Sequence, residues 1–352
     1  MPRKLPATVV TGFLGAGKTT LIRHMLANAN GRRIALVINE FGDLGVDGEI
    51  LKGCGDAACT DDDIMELSNG CICCTVAEDF IPTMEKLLDR ETPPDHIVIE
   101  TSGLALPQPL IRAFNWPGIS TRVTVDGVVT VVDGKAVAEG RFAADEGALA
   151  AQRAADATLD HDTPLAELFE DQLACADMIV VNKTDLLSPQ EAEALAVGLA
   201  RKARAGVRVV RAAHGALPVE VLLGIGSAAE ADMEERGEIH HHHHHDDDEE
   251  DHEHAHGHDE FESFVVERGE ITDAAAFARQ VAEVIRAHDI LRLKGFAAVA
   301  GKPMRLALQA VGPRIETYFD RPFAPGESRA ARLVVIGEAG LDRAAIEAAL
   351  RA

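Results

Sequence analysis

The feature that most limits what this chain can become is the octapeptide 12-GFLGAGKT-19. It directly follows the apolar run 7-ATVVTG-12 and opens the helical pattern 19-TTLIRHMLANA-29. The spacing G-x-x-x-x-G-K-[ST] between a strand and a helix is the signature of a phosphate-binding loop. Gly12, Gly15 and Gly17 let backbone N–H groups curl round phosphate oxygens without Cβ clashes. The whole run from Gly12 to Thr19, Phe13, Leu14 and Ala16 included, is assigned to the nucleotide. Lys18 brings a cation to the β- and γ-phosphates, and the Thr19 hydroxyl can ligate Mg²⁺. Thr20 lies at the start of the helix whose positive end faces the phosphates.

Further strand-like runs follow: 33-RIALVIN-39, 96-HIVIE-100, 128-VVTVVD-133, 177-DMIVVN-182 and 207-VRVVRA-212. Helical patterns separate them, as in 79-DFIPTMEKLLDR-90. Val- and Ile-rich strands alternating with helices predict an α/β fold, a mostly parallel sheet covered on both faces. That domain is expected over residues 1–226. Residues 227–260 break the pattern, because acid and histidine dominate there and no core can be built from them. They read as a disordered acidic, His-rich linker. From Phe261 to Ala352 a second unit is expected, with strands over 261–268, 291–300, 305–312 and 331–337 and helices over 272–287 and 341–352, a small α+β domain.

The base is expected to be guanine. In 182-NKTD-185 the Asp185 carboxylate can accept from both N1–H and the 2-amino group of guanine, a donor pair adenine lacks. Asn182 can tie loops together, and the Lys183 stem can lie over the base. An alternative makes Asp185 merely a helix cap ahead of 186-LLSPQEAEAL-195. In 96-HIVIETSG-103, Glu100 ends a strand where an acid could hold Mg²⁺ through water, and Gly103 would offer a backbone N–H near the γ-phosphate. Many phosphate-loop enzymes carry Asp at the Glu100 position. Glu40 and Asp43 of 39-NEFGD-43 either touch metal or position water, or are solvated loop acids.

Three of six cysteines, Cys71, Cys73 and Cys74, crowd into 68-SNGCICCTV-76, between those two phosphate-side segments. No long apolar run marks a membrane span, and the apolar N-terminal run is cut by glycines. A cytoplasmic, reducing location is therefore expected, where clustered thiols are more often metal ligands than disulfides. A Gly70-bearing loop can converge three thiolates on Zn²⁺, Co²⁺ or Cu⁺ and leave a fourth position open. A redox pair is the competing reading. Cys175 reads as core, and Cys54 and Cys59 have no assigned role. The net charge of −24 argues against nucleic acid or an anionic membrane as partner. Ten of fifteen histidines lie within 240–258, where they would bind divalent ions weakly or serve only as a spacer.

The chain resembles the CobW family of P-loop GTPase metallochaperones. The resemblance rests on 5-LPATVVTGFLGAGKTT-20, NEFGD, 70-GCICC-74, 100-ETSGLALP-107, NKTD, the His-rich linker and 291-LRLKGF-296. It is closest to the branch linked to cobalamin biosynthesis, through 52-KGCGDAACTDDDIMELSNGCICCTV-76 and 167-ELFEDQLACADMIVVNKTD-185. It implies a G domain followed by a CobW-type C-terminal domain. It also implies a GTPase that binds a transition metal at C-x-C-C with Mg-GTP and releases it after hydrolysis. The implied cargo is Co²⁺, passed to an acceptor protein at the cobalt-insertion step; Zn²⁺ is the alternative. No activating Arg or Gln is identifiable, so slow turnover is expected. A metal store centred on the His-rich linker is a further alternative.

Overall fold

Runs of Val and Ile that bury every residue can only be inner strands, covered on both sides. The computed structural model describes residues 4–38, 64–66, 80–155, 164–231, 233, 261–311, 314–324 and 326–352. It divides into two units, Met1–Gly257 and His258–Ala352. In the first, the strands are β1 (Leu5–Thr11), β2 (Ile34–Ile38), β3 (Ile64–Glu66), β4 (His96–Glu100), β5 (Val123–Asp133), β6 (Met178–Asn182) and β7 (Arg208–Arg211). They form one sheet in the order β3-β2-β4-β1-β5-β6-β7, and each pairing is parallel.

The helices between them are α1 (Lys18–Ala27), α2 (Ile81–Leu88), α3 (Pro107–Ala113), α4 (Gly134–Ala138), α5 (Glu146–Ala155), α6 (Leu165–Cys175), α7 (Pro189–Lys202) and the short α8 (Val219–Leu222). Two apolar layers hold the unit together. One joins Phe80, Met84 and Phe114 to Val9, Val37 and Ile99. The other joins Phe169, Leu173 and Leu199 to Val132, Ile179 and Val181. Among the described residues no helix is long and apolar enough to cross a membrane.

Two features depart from the sequence reading. β3 was not expected; three residues carry too little pattern to announce a strand. β5 starts at Val123 rather than 128, because Asp126 and Gly127 interrupt its apolar run. Asp126 is nonetheless buried, and its carboxylate accepts the backbone N–H groups of Gly224, Ile225 and Gly226, the latter two at 3.0 Å. The chain beyond 226 still packs here. Glu230 accepts from Thr124 Oγ1 at 2.6 Å and from Val125 N at 2.9 Å.

The second unit contains β8 (Phe261–Arg268), α9 (Ala274–Ala287), β9 (Arg292–Ala298), β10 (Met304–Val311), β11 (Arg314–Pro322), β12 (Ala331–Glu338) and α10 (Arg343–Arg351). Its sheet is antiparallel, ordered β11-β10-β9-β12-β8. The helices bury Phe277, Val281, Ile285, Ile346 and Leu350 against Phe264, Leu308 and Leu333. β11 is also absent from the sequence reading. It is an edge strand whose residues Glu316–Pro322 are all exposed, so no apolar alternation marks it.

Candidate nucleotide site

Parallel strands bring their carboxyl ends to one edge, the usual place for a ligand in such a sheet. Here that edge gathers the loop after β1, Glu100, Asp133 and Asn182. Register aligns Val10 and Ile38 with Glu100, Ile38 also with Glu66, and Asp133 with Asn182.

The loop Gly12–Gly17 needs its glycines for two reasons. Gly12 has φ +134°, and a Cβ there would lie 2.1 Å from the Val131 carbonyl oxygen. Gly17 has φ +100°, and its Cβ would lie 2.2 Å from Asn182 Nδ2. Gly15 is also left-handed. Ala16 N donates to Phe13 O at 3.2 Å and closes the turn. Lys18 Nζ folds back over the loop and donates to Gly12 O at 2.8 Å and Phe13 O at 3.3 Å. Phe13 anchors the flank by packing on Phe142 and Phe169, ring centroids 5.7 and 5.9 Å away. Thr20 lies in the first turn of α1, which begins at Lys18.

Thr19 Oγ1 donates to Glu100 Oε1 at 3.1 Å. Glu100 is only 4% exposed, so a carboxylate and a hydroxyl meet in a buried corner beside the loop. Such hard oxygen donors suit Mg²⁺. The segment after Glu100 lies against the same loop: a Cβ at Gly103 would come 2.7 Å from Leu14 N. Thr101 N donates to Val10 O at 3.0 Å.

On the base side, Asn182 Nδ2 donates to Ala16 O at 2.9 Å, while its Oδ1 accepts from Gly215 N at 2.9 Å. One side chain thus ties the phosphate loop to the segment after β7. Lys183 adopts a left-handed φ of 62°, and its Nζ donates to Asp133 Oδ2 at 2.6 Å. Asp133 Oδ1 also accepts from Ala136 N at 3.0 Å, capping α4. Asp185 lies in the single 3-10 turn Thr184–Leu186, with His214 Nε2 3.7 Å from its Oδ2. It does not cap α7. Ser188 does, in a reciprocal box with Glu191.

Asp133, Gln172, His214 and Gly215 are the site-side residues that sequence reasoning missed. Only Asp133 carried a usable signal, an acid at the carboxyl end of an apolar strand, as Glu100 is. The expected metal and switch residues Cys71, Cys73, Cys74, Asp43 and Glu40 lie outside the described residues, as do Cys54, Cys59 and 240–258. Cys175 is buried. Among the described residues no group of three or more His, Cys, Asp or Glu could hold a metal.

Comparison with known proteins gives matches along almost the whole chain. The family model described as CobW/HypB/UreG, nucleotide-binding domain, matches residues 6–211. That described as the cobalamin synthesis protein cobW C-terminal domain matches 261–352. A Sinorhizobium protein named zinc chaperone CobW is 59% identical over 349 residues, covering 99% of this chain and 97% of the relative. A Pseudomonas aeruginosa protein of the same name is 52% identical over 352 residues, covering 99% and 91%. The Escherichia coli zinc chaperone YjiA is 32% identical over 342 residues, covering 95% and 94%.

Proposed function

From the premise that the chain belongs to the CobW/HypB/UreG family, we propose that it is a GTP-hydrolysing metallochaperone whose cargo is held by Cys71, Cys73 and Cys74. Gly12–Thr20 cradle the phosphates. Lys18 exchanges its loop carbonyls for phosphate oxygens, and Asp185 accepts from the guanine edge beside the Lys183 stem. Asn182 holds the base and phosphate halves in register. Thr19, and Glu100 through water, would hold Mg²⁺, which would supply charge neutralisation at the phosphates. Gly103 offers its N–H towards the γ-phosphate, and Asp43 positions water. Nothing in this set supplies a cationic finger, in keeping with slow turnover. Residues 1–226, 227–260 and 261–352 act as G domain, linker and C-terminal domain in this reading.

The observation that carries the coupling of nucleotide to metal is the register of β2 and β3. Ile38 is aligned with both Glu66 and Glu100, at the phosphate edge. Asp43 follows Ile38 by five residues, and Cys71 follows Glu66 by five. Both segments therefore depart from the edge that meets Mg-GTP. Ordering them there would offset part of the entropy cost of assembling the thiolates, roughly 1–2 kcal/mol per residue fixed. The coupling must then be reciprocal.

Zinc, rather than the cobalt expected from the sequence, is the cargo we favour. Three relatives spanning most of the chain carry zinc in their names, and a thiolate site binds Zn²⁺ more tightly than Co²⁺. The cobalt and cobalamin reading keeps one support, the name of the family model matched by 261–352. The test is competition with a chromophoric chelator on the full chain, in Mg-GTPγS and in Mg-GDP. Zn²⁺ is expected to bind at least tenfold tighter with GTPγS and to lose that site in Cys71→Ser, Cys73→Ser or Cys74→Ser. Equal affinity in the two nucleotide states would overturn the chaperone reading. Tighter binding of Co²⁺ than of Zn²⁺ on the same sample would restore cobalt.

A further inference from the structure

Gln172 lies on α6 with its side chain fully buried. Its Nε2 donates to two backbone carbonyls of one loop, Gly103 O and Ala105 O, both at 3.2 Å. Its own carbonyl accepts from Thr130 Oγ1 of β5 at 3.0 Å. Its Oε1 finds no hydrogen-bond partner among the described residues. A buried amide with one end unsatisfied is a cost to the fold. That cost is poorly explained by stability alone, and such departures from local rules gather where function needs them.

One turn earlier on the same helix, Phe169 packs on Phe13 of the phosphate loop. The Gly103 backbone in turn lies against Leu14 of that loop. α6 therefore grips both the loop that takes the β-phosphate and the loop that carries Gly103. We infer that Gln172 is a positioning residue that sets triphosphate against diphosphate discrimination, by fixing the 101–106 loop on α6. The inference rests on the reading of Gly103 as the γ-phosphate donor. It makes α6 the element that registers which nucleotide is bound.

The substitution Gln172→Met keeps the side-chain length and removes both donors. Titrations of the full chain with Mg-GTPγS and Mg-GDP give the result. The expected outcome is a tenfold or greater loss for GTPγS, with the GDP affinity within threefold of the parent. A merely structural role would weaken both alike, and that result, or no change in either, overturns the proposal. If the parent itself binds the two nucleotides equally, the γ-phosphate reading of Gly103 fails, and the proposal with it. If the parent discriminates and the variant still does, only the role of Gln172 fails. Should Gln172→Met not fold, amide hydrogen exchange on the parent decides. Protection of 101–106 and of 169–175 is expected to rise together with GTPγS and not with GDP. A rise confined to 101–106 overturns the proposal.

Discussion

Replacing Asn182 by Ala is expected to destabilise the first unit by about 2–6 kcal/mol. Asn182 is 2% exposed and holds two backbone groups, Ala16 O and Gly215 N–H, each at 2.9 Å. Both residues are buried, so neither group regains water when the amide is removed. A buried backbone group left unsatisfied costs roughly 1–3 kcal/mol, and two such groups give the range above. The whole domain holds only about 5–15 kcal/mol, so the change is large. The chain has one tryptophan, Trp116, in the first unit, so its fluorescence in urea follows that unit alone. The urea slope grows with size, and at roughly 3 kcal/mol per molar for a unit this large the midpoint should fall by about 0.7–2 M. Asn182→Asp sharpens the test. An ionised carboxylate still accepts from Gly215 N but faces Ala16 O without a proton. Burial and the missing donor favour its protonated form, raising the folded-state pKa above the unfolded one. The deficit of this variant should therefore be smallest in acid and grow as pH rises from the unfolded carboxylate value, about 3.9, towards the raised folded one. A midpoint shift worth less than about 1 kcal/mol for Asn182→Ala would refute the claim that this side chain joins the two halves of the site.

Three further outcomes are expected. Asp185→Asn should weaken GTP and shift preference towards a xanthine nucleotide, whose carbonyl can accept from the new amide; direct titration that finds ATP and GTP bound equally by the parent would sink the guanine assignment. Deleting Ile239–His258 should leave Zn²⁺ affinity in Mg-GTPγS within a few fold, since many weak imidazole sites raise local supply rather than intrinsic affinity; a large loss would move the cargo to the linker. In the second unit, hydrogen bonds from Arg321, then from the Ala324 backbone, hold the Glu327 carboxyl down at about 2. Because the folded value is depressed, its contribution is present above the ordinary value of 4.5 and fades as pH falls towards 2. Near-ultraviolet dichroism of Tyr318, the chain's one tyrosine, should report an acid transition that Arg321→Ala makes shallower.

The elements most legible in the sequence were those with unbroken chemistry. β4 was read at its observed limits, His96–Glu100, because five buried residues meet abrupt polar flanks. β8 was read at its observed limits too. Where function or tertiary pairing breaks the pattern, reading failed. β5 was read as starting only at Val128 because the backbone partners that let Asp126 be buried within it, Gly224–Gly226, come from about a hundred residues away. β11 was invisible because its place at a sheet edge, not its composition, makes it a strand. The glycine loop 12–19 and N-K-x-D could be located in the sequence because each is a short contiguous motif. Asp133, Gln172 and Gly215 act through partners distant in sequence, and no local spacing marks such residues.

The clasp formed by Asp126 and Glu230 also sets a path for mechanical load. Both fasten the departing chain to the amino-terminal part of β5, whereas Asp133 ends that strand at the nucleotide edge. Seven steps along the strand lead from Asp126 to Asp133, about 23 Å at roughly 3.3 Å each. A pull on the chain at Met233 is therefore taken up by the buried Asp126 and the half-buried Glu230, at the end of β5 away from Asp133.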